Sequence, residues 1–147
     1  PRLSGAPLVR WVHCAECTKG HRRETEAAKL AVHRRTEQDL RHMTTALDAR
    51  AKAGDDVQAR IRHDEAFHHA LVAASHNSAL IELYDYFSHA VSQTIEQTET
   101  DADLPEPSQE DHELLLAAVR RQDEGKAETL ARALLKPSLQ ALKRRES

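Results

Sequence analysis

The sequence predicts an all-helical bundle, and three observations carry that prediction. Ala, Leu, Glu, Arg and Gln dominate the 147 residues, and these are strong helix formers. Runs of β-branched residues, which would mark strands, are nearly absent. With only 4 Gly and 5 Pro, the chain has room for long uninterrupted helices.

Each element follows from local patterning. A first helix is expected over about 23–33, where Ala27, Ala28, Leu30 and Ala31 are apolar. Thr36 is placed to cap a second helix, with Asp39 as the acid of a capping box. Leu40, Met43 and Leu47 then recur at spacings of three and four, one apolar stripe. Gly54 ends that helix, and Asp55 or Asp56 opens a third over about 57–75. Its expected buried residues are Val57, Ile61, Phe67, Leu71 and Ala74. Asn77 caps a fourth, about 79–98, with Leu80, Leu83, Phe87, Val91 and Ile95 as its stripe. Acids and two prolines make 99–107 a loop. Ser108, with Asp111 three residues on, opens a fifth helix bearing Leu114, Leu115, Ala118 and Val119. Asp123 opens a sixth with Ala127, Leu130, Leu134 and Leu135, which Pro137 is expected to kink or break.

A chain of this length fits a single core. Aromatics are only 3%, so aliphatic side chains must fill the interior. No apolar stretch approaches the roughly 18 residues needed to span a bilayer, and residues 1–30 lack the pattern of a signal peptide. Cys14 and Cys17 form no disulfide framework. These points favour the cytoplasm. The formal net charge of -3 excludes most of this chain as a nucleic-acid-binding surface. Residues 1–23 stand apart as an irregular basic arm, with five basic residues against the single acid Glu16. Within it, His13, Cys14, Cys17 and His21 have a zinc-like spacing, but four ligands crowded into nine residues make an unusual site.

Asp64 and His68 are four residues apart and share one helical face, where a carboxylate and an imidazole can grip one divalent cation. Such a pair also arises readily by chance in a chain with 10 histidines. Arg60, one turn before Asp64, has the donors to bind a carboxylate ligand, and equally suits an Asp–Arg pair or a solvated face. His63, His69, His76 and His89 read as surface or core-capping residues before they read as helpers of a site.

The string from Asp64 to Leu80 resembles the D-x-x-F-H-x-x-L-x-x-A-S-x-N-x-x-L signature of the effector-binding (FCD) domain of GntR-type bacterial regulators, FadR subgroup. Residues 24–31, 36–40 and 111–119 resemble three further motifs of that family, in the same order. The resemblance covers about 24–142 and implies six or seven helices around a central cavity that binds a small effector, usually a carboxylate. It also implies a homodimer, and a winged helix-turn-helix module that must lie outside this chain. In many members an Asp and three His hold a metal in the cavity. Asp64, His68 and His112 match three of these ligands, while Leu134 stands where the third histidine would be.

The resemblance thus leaves two readings of Asp64, His68 and His112. They hold a divalent transition metal such as zinc or nickel, with water or effector oxygens completing the shell, or they hydrogen-bond the effector directly. Arg60 is the added candidate for the effector. The alternatives are a metal-dependent hydrolase or oxygenase using the same three residues, for which no general base is evident, and a dimerisation module without ligand.

Overall fold

The computed structural model describes residues 23–97 and 107–144. They form six helices and no strand: α1 (23–34), α2 (Glu37–Lys52), α3 (Val57–Ala73), α4 (Ser78–Gln97), α5 (Gln109–Arg120) and α6 (Glu124–Arg144). The basic arm, with His13, Cys14, Cys17 and His21, lies outside these residues apart from Arg23.

Side-chain caps start the helices where the sequence places them. Thr36 and Asp39 close a reciprocal capping box on α2, and Ser108 and Asp111 do the same on α5. The Ala59 N–H donates to Asp56, the Leu80 N–H to Asn77 and the Lys126 N–H to Asp123. At the α2–α3 turn Gly54 has φ +55°, the left-handed region where a Cβ is disfavoured. At the end of α5, the Asp123 N–H reaches the Ala118 carbonyl over 3.0 Å and the Gln122 N–H reaches Val119 over 3.2 Å. This paired stop normally uses glycine at the left-handed position. Gln122 occupies it with φ +58°, and its side chain donates to the Val32 carbonyl on α1 over 3.0 Å.

The core gathers one face each of α1, α2, α3, α5 and α6. Ala28, Ala31 and Val32 come from α1, and Leu40, Met43 and Leu47 from α2. Phe67 and Leu71 come from α3, Leu115 and Val119 from α5, and Ala127, Ala131 and Leu134 from α6. Burying one large apolar side chain contributes about 1.5–3 kcal/mol, against about 1 kcal/mol for one cap. Packing therefore holds the bundle, and the caps set its boundaries. α3 lies along α2, α5 packs on both α2 and α6, and α4 packs on α3. No described helix is long and apolar enough to cross a membrane.

Three expectations change. Val57 and Ile61 are 50% and 42% exposed rather than buried. Ala59, two residues from each of them, is buried instead. Leu83 and Leu114 are each 41% exposed, so the apolar stripes of α4 and α5 are wider than the surface they bury. α6 continues past Pro137, so the proline does not break it. A proline removes one backbone donor, and the bonds of the flanking turns carry the helix through. The side chains of Phe87, Val91, Ile95 and Leu135 lie outside the described residues, as does most of the 99–107 loop.

Candidate functional site

Four helices meet at one polar cluster in this apolar interior. Asp64 and His68 project from α3, one turn apart, and His112 from the first turn of α5. One ligand atom of each lies within 4.8 Å of the others. His112 is fully buried, His68 nearly so, and Asp64 is a quarter exposed. Phe67 stands beside both imidazoles, edge to face, with ring centroids 5.4 Å from His68 and 5.5 Å from His112.

The hydrogen bonds turn the two rings the same way. His112 Nδ1 donates to the Ser108 carbonyl over 2.7 Å. His68 Nδ1 contacts the carboxylate of Glu24 on α1. Each ring therefore presents Nε2 to Asp64, at 2.8 Å from Oδ1 for His112 and 3.5 Å from Oδ2 for His68. Despite that short approach, His112 Nε2 makes no aligned hydrogen bond. A buried imidazole nitrogen set against a carboxylate oxygen without an aligned proton between them suits two ligands of one cation. The residues present thus fit a metal. Bonds of about 2.0–2.1 Å would bring such atoms within about 4 Å of one another, a small closing movement from here.

The charges are balanced from behind. Arg50, buried on α2, donates from Nε to Asp64 Oδ1 over 3.0 Å. Its other nitrogens reach Gln109 Oε1 at 3.0 Å and the Pro107 carbonyl at 2.7 Å. Burial works against the Asp64 charge, but His112, His68 and Arg50 together hold its carboxyl below the usual range. Burial also works against a charge on His68, yet Glu24 and Asp64 outweigh it and raise its pKa to about 9. Burial and the charges of Glu24, Glu65 and Asp64 push the phenol of Tyr84, on α4, upward.

The structure thus brings Asp64, His68 and His112 together. Arg60 sends its guanidinium to the Gly54 carbonyl at the α2–α3 turn. Leu134 is buried in the core. His69 pairs with Asp85 over 2.9 Å and His76 with Asp39 over 2.7 Å, each on an exposed face. The His89 side chain lies outside the described residues. An open groove of about 550 Å³, lined by Arg35, Arg41, Thr44 and Arg120, lies apart from the cluster on the α2–α5 surface. Sequence reasoning missed Glu24, Arg50 and Tyr84. Arg50 continues the stripe of Leu40, Met43 and Leu47 at the next spacing of three, and Glu24 precedes Ala27, Ala28 and Ala31 at three, four and seven. A charge on an apolar stripe was the available signal.

Comparison with known proteins agrees with this frame. Residues 24–136 match the FCD domain family. The chain is 30% identical over 122 residues to the galactonate operon transcriptional repressor of Escherichia coli K12, a match that covers 82% of this chain and 53% of the repressor. It therefore spans about half the length of that relative. The solved structure of E. coli McbR/YncC superposes with a TM-score of 0.72 at 21% identity, over 90% of this chain and 65% of that one. That likeness supports the bundle fold alone. The chain belongs to the FCD domain family of GntR-type regulators.

Proposed function

We propose that this domain senses a small carboxylate effector in a cavity floored by Asp64, His68 and His112, which hold a divalent transition metal such as zinc or nickel. The observation that carries this reading is the convergence of two imidazole Nε2 atoms on one carboxylate, with both Nδ1 atoms already engaged. The metal would supply a Lewis-acidic centre for the effector's oxygens. Arg60 is the further candidate for the effector's carboxylate. Leu134 leaves the site one protein ligand short of the family's usual four, which opens room for effector or water oxygens. The domain acts by binding and not by turnover. In a cytoplasmic homodimer, an effector that binds one arrangement more tightly would shift the disposition of DNA-binding modules carried elsewhere.

Thermal melting tests this directly, after EDTA treatment and then with zinc, nickel and a panel of small carboxylates. A ligand specific to the folded state adds about 2.7 kcal/mol at a hundredfold excess over its Kd. A melt that no metal and no acid moves would leave a dimerisation module without a ligand. Light scattering that reports a monomer would count against the dimeric switch.

A further inference from the structure

We infer that Glu24 is a positioning residue for the metal site, acting through His68. The inference rests on the metal reading above and goes beyond it, because Glu24 lies on α1, forty residues from the nearest proposed ligand, and is not itself within reach of the cluster's centre. Its carboxylate is buried, with 6% of the residue exposed, and it contacts His68 Nδ1. A neutral imidazole carries one proton, and which nitrogen keeps it depends on the partner of the other. A carboxylate can only accept, so Glu24 keeps the proton on Nδ1 and leaves the Nε2 lone pair for the cation. The ring is also fixed in rotation, with Nε2 turned toward Asp64 at 3.5 Å.

His112 obtains the same arrangement from a backbone oxygen, that of Ser108 one turn earlier on its own helix boundary. The two braces differ in what they tie. The Ser108 carbonyl orients His112 within α5, whereas Glu24 joins His68 on α3 to α1. Glu24 thus ties the ligand set to α1. A carboxylate behind a metal-bound imidazole also raises that ligand's basicity, and loss of such a partner weakens metal binding by about 10–100-fold.

The test uses the whole 147-residue chain, stripped of metal and titrated with zinc by calorimetry, in the wild type and in Glu24→Ala and Glu24→Gln. Corrected for the proton that zinc displaces from His68, zinc affinity should be lower in Glu24→Ala by about 10–100-fold. Glu24→Gln, whose amide oxygen still accepts from Nδ1, should fall between Glu24→Ala and wild type. Long-range proton–nitrogen spectra of the zinc-loaded wild type should show His68 with a proton on Nδ1 and the metal on Nε2. Glu24→Ala binding zinc as tightly as wild type would overturn the positioning role. Zinc on His68 Nδ1 would overturn it whether or not the variants fold. A wild type that binds no zinc would remove the metal reading itself, and this inference with it.

Discussion

Arg50 on α2 donates from Nε to Oδ1 of Asp64 on α3 over 3.0 Å, while its remaining nitrogens hold the entrance of α5. One buried guanidinium thus fixes the carboxylate of the site and the helix that delivers His112. Arg50→Met removes the charge and all three contacts, leaving Asp64 with fewer partners. Breaking a buried pair from one side costs about 3–5 kcal/mol. Asp64 is a quarter exposed and retains its imidazole neighbours, so a loss near the low end, about 3 kcal/mol, is expected. Urea denaturation of the metal-free protein measures it, and a loss under about 1 kcal/mol would show that water replaces the guanidinium freely.

The pH dependence of the metal-free protein follows from His68. Its pKa is raised to about 9 in the folded chain, against an ordinary value near 6.5. A raised folded pKa stabilises fully below the unfolded value, and the contribution disappears as pH rises through the folded one. Stability from this group should therefore be complete below about pH 6.5 and decline toward pH 9. Denaturation midpoints at pH 6, 7, 8 and 9 should show the decline, and His68→Gln should flatten it. Metal competes for the same proton on Nε2, so apparent zinc affinity should rise by about tenfold per pH unit below pH 9. Calorimetry in buffers of different ionisation enthalpy would detect the released proton.

Leu134→His returns a donor at the position that the family resemblance pairs with a ligand. Zinc affinity is expected to rise by roughly tenfold or more as the protein donor set reaches four. The same change puts an imidazole where a leucine only 4% exposed fills the core. The metal-free protein should lose about 2 kcal/mol. Competition with a chromophoric chelator measures the first effect and a melt in EDTA the second. Unchanged affinity would mean that α6 does not face the cluster at this register.

Ser108→Ala separates the cap from the site. The hydroxyl caps α5, but it is the backbone carbonyl that accepts from His112, and alanine keeps that carbonyl. About 1 kcal/mol of stability should be lost, while zinc affinity stays within twofold of wild type or thereabouts. A large loss of zinc binding would show that fraying of the first turn of α5 displaces His112.

Much of this molecule was legible in its sequence because its signals are local. The caps Thr36, Asp56, Asn77, Ser108 and Asp123 each act over three residues, and all five start helices where the pattern puts them. Asp64 and His68 share a face by spacing alone, whereas His112 entered through family likeness, since nothing local connects positions 68 and 112. The braces were harder to read. Glu24 and Arg50 carry charges that composition assigns to the surface, and only tertiary packing brings them behind His68 and Asp64. Val57 and Ile61 mislead for the opposite reason: they are apolar and correctly spaced, yet 50% and 42% exposed.

The braces and the ligand atoms come from positions 24, 50, 64, 68, 108 and 112, on four helices and one helix boundary. No single helix, and no hairpin of two, contains more than part of this arrangement. We therefore expect the arrangement to be completed late in folding, after distant segments have docked. A cation bound there should then slow unfolding while leaving the folding rate almost unchanged. Stopped-flow kinetics with and without zinc would separate the two limbs. For a sensor that is a useful property: occupancy then governs how long the assembled state lasts rather than how quickly it is reached.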